Sequence, residues 1–339
     1  RGVPRSLALD SELEGAASAP ALPNAADVEL LQNLLDFFYR FAEQNQADLD
    51  VETAEVFQRM GEIHRRLGQP DRAREAYRLA LQVRTAVFDR SPGDPANALA
   101  YARLLNAMGL LEKETGELQG ARSVHEAARG VLAGAAHSNP VVRLELARTL
   151  NLLGSTGLSG GNDSMMGVMR RRRRPAASGG GSPPGDALDS EAAAFEEARS
   201  ILHDLMRQDP MNPEFQYELA QCGRSQALLA LKEADTSEAR RLLASALADL
   251  ESLARDFPDV PLYQYELADT LCYQVPGRRG AAPVPEDYAD RAVVIAGRLS
   301  ARYPWMEGYE ALLATALTRQ ASVREDTGRL EEAEAGYRD

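Results

Sequence analysis

Apolar residues along this chain return every three or four positions, the spacing of one helix face. Nowhere do they alternate with polar residues for long enough to make a half-buried strand. Leu30, Leu31, Leu34, Leu35, Phe38 and Phe41 trace a broad apolar stripe and predict an amphipathic helix over residues 25–46. Beyond it a longer period appears. Ala54, Ala102, Ala147, Ala220, Ala268 and Ala314 stand in similar helical contexts, at steps of 48, 45, 73, 48 and 46 residues. A step near 46 that recurs predicts stacked helical repeats, each burying its apolar face only against its neighbours.

The columns around the alanine define the unit. Pro95, Pro140, Pro213 and Pro261 stand seven residues before it, three of them after Asp94, Asn139 and Asn212. Asp or Asn at the N-cap accepts an orphan backbone N–H, and Pro at N1 lacks the N–H that would go unpaired, so a helix starts there. Seven residues after the alanine come Gly61, Gly109, Gly154, Ala227 and Ala321, small enough for close helix packing; seven further on, Gly68, Gly116 and Gly328 end the first helix. A second helix follows, with Ala73, Ala121, Ala239 and Ala333 and, four residues beyond each, Tyr77, His125, Leu243 and Tyr337. The pattern predicts a first helix, a short turn and a second helix, with small residues at the crossing and a bulky one beside it.

This unit resembles the tetratricopeptide repeat (TPR), on the strength of the segments from Met60 to Tyr77 and from Thr327 to Tyr337. Its period exceeds the usual TPR length of about 34 residues and is similar to the elongated repeats of kinesin light chain and of the tails of bacterial serine/threonine kinases. The resemblance implies an all-α fold: an α-solenoid, wound as a right-handed superhelix, of about six repeats.

The expected organisation is a disordered linker over residues 1–24, a capping helix over 25–46 and a solenoid over 47–339. Its repeats run over about 48–91, 94–138, 139–209, 211–256, 259–303 and 307–339, the last truncated within its second helix. The irregular step of 73 marks an insertion of Gly, Ser, Pro, Met and Arg over residues 160–188, expected to be disordered, with the second helix resuming at Glu191. In the fifth repeat Val275, Pro276 and Gly277 break the first helix early. The chain opens at Arg1, which suggests a fragment.

Composition narrows the function classes. A net charge of −13 argues against general nucleic-acid binding, which needs a basic face. Cys222 and Cys272 lie in different repeats and read as small core residues. No apolar run is long enough to span a membrane and no signal peptide is visible, so a cytoplasmic location is expected. His64, His125, His137 and His203 form no catalytic spacing; no phosphate-binding, metal-binding or nucleophile motif occurs, and neither a metal nor a cofactor is expected.

Two features carry charge in a pattern. One is the run Arg170, Arg171, Arg172, Arg173 and Arg174 in the insertion, an electrostatic loop for phosphate, an acidic partner or anionic lipid. The other lies on the first helices. TPR proteins bind peptides in a groove lined by these helices, and the resemblance places there Arg103 and Asn106, Arg148 and Asn151, and Gln221 and Arg224, one and four residues after the alanine. Asn offers both a donor and an acceptor to a peptide backbone, and Arg forks onto carboxylates. The expectation is a non-catalytic scaffold for a peptide or protein partner, acidic or extended. The alternatives are the regulatory tail of a larger enzyme such as a bacterial serine/threonine kinase, and, last, nucleic-acid or lipid contact through the arginine loop. The carboxylate-clamp pattern is absent, because its Asn position holds Glu62, Leu110 and Ser155.

Overall fold

The computed structural model describes residues 51–135, 139–158, 185–273 and 287–338, together with Gln32, Asn33, Leu35 and Asp36. Among the described residues there are twelve helices and no strand: α1 (Val51–Arg66), α2 (Pro70–Arg90), α3 (Pro95–Glu114), α4 (Leu118–Ala135), α5 (Pro140–Thr156), α6 (Gly185–Gln208), α7 (Pro213–Lys232), α8 (Thr236–Asp256), α9 (Pro261–Cys272), α10 (Asp287–Arg302), α11 (Glu307–Asp326) and α12 (Leu330–Arg338). Odd-numbered helices are the first of each pair and even-numbered ones the second. The architecture is an all-α helical-repeat solenoid.

The proline column starts the first helices. Asp94 accepts from the Ala96 N–H and Asn139 from the Val141 N–H, with Pro95 and Pro140 at N1. Asn212 caps α7 through the Glu214 N–H. The turn that ends the first helix needs a left-handed residue fourteen positions after the alanine. Gly68, Gly116 and Gly328 take it with φ of 66°, 87° and 80°, but in the fourth repeat Ala234 holds the same turn at φ 68°. A side chain is strained there, and only glycine adopts this conformation freely.

Two compact units divide the chain. One comprises residues 22–163 and 176–215 and holds α1–α6; the other includes residues 216–339 and holds most of α7 with α8–α12. In the first unit each helix pair packs at a crossing where glycine meets a ring. A Cβ on Gly61 would lie 2.5 Å from Tyr77 Cδ1, one on Gly109 2.5 Å from His125 Cε1, and one on Gly154 2.8 Å from Phe195 Cε1. Tyr77, His125 and Phe195 are all fully buried. Of the predicted capping stretch, Gln32, Asn33, Leu35 and Asp36 are helical and Leu35 packs with Met60, Ile63 and Ala76; the other residues of 25–46 lie outside the described residues, as do residues 1–24.

In the second unit α7 and α8 pack through Ala227, Ala230, Leu231, Ala239, Leu242 and Leu243. A larger core joins Leu250 and Leu253 to Ala268, Leu271, Ala292, Ala296, Leu312 and Ala316. Rings line its edge: Tyr265 meets Tyr309 at 6.0 Å between centroids, and Tyr303 meets the exposed Trp305 at 5.8 Å.

Five column alanines are buried to 1% exposure or less, but Ala314 on α11 is exposed, since no described helix packs over that face. The segment read as an insertion to residue 188 is helical from Gly185, where α6 begins. The run DALDSEAAAF is rich in helix formers and carries the helix back beyond Glu191. Helix α9 stops at Cys272, three residues ahead of Val275.

Candidate functional site

The polar positions after the alanine do not stand free. In the first unit they form a hydrogen-bonded ladder from α3 to α5 and on to the start of α7. Glu145, buried on α5, accepts from Arg103 Nε at 3.1 Å and from Asn106 Nδ2 at 3.3 Å. Asn106 Nδ2 also donates to Thr149 Oγ1 at 2.8 Å, and Thr149 in turn donates to the Glu145 carbonyl at 2.9 Å. Arg148 approaches the same Glu145 carboxylate at 3.8 Å and bonds Glu214 at 2.8 Å.

Asn106 therefore differs from an exposed groove residue. It is 5% exposed, and its Oδ1 accepts from His125 Nδ1 at 3.1 Å. Its amide is saturated inside the protein because the neighbouring repeat brings a carboxylate and a hydroxyl up to it. Burial pushes the His125 imidazole down to about 4, so it is neutral at pH 7 and acts as a donor through Nδ1.

Asn151 holds the same register one repeat on, with a different outcome. Phe195 takes the crossing that His125 takes against the preceding glycine, and a phenyl ring offers no N–H. Asn151 Oδ1 is buried with no hydrogen-bond partner among the described residues. Arg103 remains the more open group, its side chain 47% exposed.

The second unit repeats the register. Gln221 donates to Tyr217 Oη at 2.9 Å, and Tyr217 Oη donates to Glu266 at 3.4 Å. Arg224 bonds both Glu266 and Asp269. Glu145 and Glu266 occupy one column, two residues before the alanine, so in both units the residue four after the alanine clamps the next repeat's glutamate. Burial holds the Asp269 carboxyl above its usual range, and Arg224 partly offsets this. The carboxylates hold the Arg224 guanidinium above its ordinary value. Sequence reasoning missed Glu145 and Glu266; the signal was their shared column, with Glu218 standing in it as well.

It also missed Lys113 and Ser155, farther along the same faces of α3 and α5. Lys113 Nζ donates to Ser155 Oγ at 3.1 Å, and Ser155 Oγ donates to the Leu152 carbonyl at 2.9 Å. Burial lowers the Lys113 ammonium from its ordinary value. Arg170, Arg171, Arg172, Arg173 and Arg174 lie outside the described residues. Among the described residues no His, Cys, Asp and Glu group has the arrangement of a metal site. Both cysteines are buried and unbridged, and burial pushes the Cys272 thiol up to about 12, so it stays protonated and unreactive. No described helix is long and apolar enough to cross a membrane.

Residues 54–86 match the profile of the tetratricopeptide repeat family. No curated protein sequence matches the chain. Among solved structures it is similar to BtubC (BKLC) from P. vanneervenii, at 16% identity and a TM-score of 0.49, over 79% of this chain and 87% of that one. It is similar to human IFIT1, solved as a dimer with PPP-AAAA, at 13% identity and a TM-score of 0.28, over 98% of this chain and 87% of that one. The human IFIT1 dimer with m7Gppp-AAAA matches at 12% identity and a TM-score of 0.27, over 99% and 94%.

Proposed function

We propose that this tetratricopeptide-repeat chain is a non-catalytic scaffold that holds an extended peptide segment of a protein partner on the face formed by α3 and α5. One observation carries the reading: the hydrogen-bonded ladder between those helices. It fixes Arg103, Arg148 and Asn106 against Glu145, so the polar face is ordered before any partner arrives. A face ordered in advance loses little side-chain entropy on binding. An extended segment suits it, because the partner's backbone amides would meet side chains spaced along two adjacent helices.

The internal hydrogen bonds also give four of the six sequence-predicted contacts their roles. Asn106 and Arg224 hold adjacent repeats in register and act on a partner only by positioning others. Arg103 is the direct contact of the first unit by its exposure, with the half-buried Asn151 flanking it one repeat on.

The test is a random peptide array probed with the wild-type chain and with Arg103→Ser/Asn151→Ala, both checked for helicity and melting temperature. Asn106 is left intact because its loss would take the buried His125 ring's hydrogen-bond partner away. The expected result is a set of peptides bound by the wild type and lost by the folded double variant. Identical binding patterns would remove this face as the site.

A further inference from the structure

We propose that Lys113, backed by Ser155, is the anion-reading point of the α3–α5 face, so that the bound segment presents an Asp or Glu carboxylate there. This assignment rests on the peptide-binding reading above and adds the ligand's chemistry to it.

The arginines that first suggest an acidic partner are already compensated. Arg103 and Arg148 share Glu145, Arg148 also has Glu214, and the carboxylates of Glu112 and Glu114 near the end of α3 are taken by Arg74 and Arg65, at 3.0 and 2.6 Å. Lys113 is different. It lies on the stripe Arg103, Asn106, Leu110, Lys113, at helical spacings of three, four and three, and so shares their face. Its one partner is the Ser155 hydroxyl, and among the described residues no carboxylate stands within ion-pair distance of Nζ.

An ammonium has three N–H donors, and among the described residues Ser155 takes one of them. The neighbouring His125 ring is neutral and adds no second positive charge beside it. The Glu114 carboxylate acts on Lys113 electrostatically, but its ion pair is with Arg65. Burial lowers the proton affinity of this half-buried ammonium, and the field of Glu114 offsets that only in part. A carboxylate from a bound segment supplies an ion-pair partner and accepts hydrogen bonds from the N–H groups that no described side chain takes.

The experiment takes the peptides that bind the wild-type chain on the array and replaces each Asp and Glu singly by Asn and Gln. Affinities are read by fluorescence anisotropy for wild type, Lys113→Met and Lys113→Arg. One acidic position is expected to cost about tenfold in the wild type when neutralised, the worth of a charged hydrogen bond. The same replacement is expected to cost nothing in Lys113→Met, while Lys113→Arg keeps the acid dependence. If neutralisation costs the same in Lys113→Met as in wild type, or if the bound peptides contain no acid, the assignment is overturned and the peptide reading stands. If no peptide binds at all, the peptide reading falls, and the assignment with it.

Discussion

Gly109 and His125 meet where α3 crosses α4, so closely that a Cβ on the glycine would lie 2.5 Å from the ring. The ring cannot retreat without breaking its bond to Asn106, so the glycine is needed for space and for the ladder.

Gly109→Ala is therefore expected to destabilise the chain by about 1–3 kcal/mol, the usual cost of overpacking a core. Gly130→Ala, on the open face of α4 with nothing near its Cβ, is expected to stabilise by about 0.5–1 kcal/mol through helix propensity. Urea titrations of the two variants decide it; shifts of the same sign would contradict the crossing geometry.

Ala234→Gly is expected to raise stability by about 1 kcal/mol. The left-handed turn at φ 68° strains an alanine, and relief of that strain outweighs the extra entropy of glycine in the unfolded chain. The same change at Ala227, inside helix α7, should lower the melting temperature instead.

His125 makes stability depend on pH on the acid side. Its folded value of about 4 lies below its ordinary 6.5, so between these values the unfolded chain takes the proton that the folded chain refuses. The stability is complete above pH 6.5 and falls as pH drops below it, by about 1.4 kcal/mol per unit for this group. Denaturation midpoints at pH 7.5, 6 and 5 measure the slope. The His125 ring resonances should not titrate until well below pH 6, and a titration near 6.5 would refute the buried neutral ring.

Arg224→Met should cost about 3–5 kcal/mol at neutral pH, because it leaves Glu266 and Asp269 buried together without a cation. The sign with pH is opposite to that of His125. Asp269 holds its proton above the ordinary carboxyl value, so its penalty grows as pH rises through that range and is relieved as pH falls. The gap between variant and wild type is expected to narrow between pH 7.5 and 5. A gap that does not change with pH would show that the carboxylates are not desolvated.

The repeat register was legible because packing writes it into residue size. In the first unit the helices cross closely over Gly61, Gly109 and Gly154, and the turn after each first helix favours glycine, so these columns survive in the sequence as small residues. The site was only half legible. Arg103 and Asn106 stand in the positions expected of them, but nothing local reveals that Glu145, about forty residues on, consumes their hydrogen bonds.

By itself, then, the sequence determined the all-helical repeat, its period and the caps and crossings that build it, since these depend on residues one or two turns apart. Tertiary structure alone decided which polar groups are spent inside the protein and which remain open. Whether an arginine is a ligand contact or an internal brace depends on what the next repeat brings within 3 Å of it. Stacking gave Arg103 and Arg224 carboxylates and gave Lys113 only a hydroxyl. That difference, invisible along the chain, is the physical basis for seeking an acidic segment at Lys113.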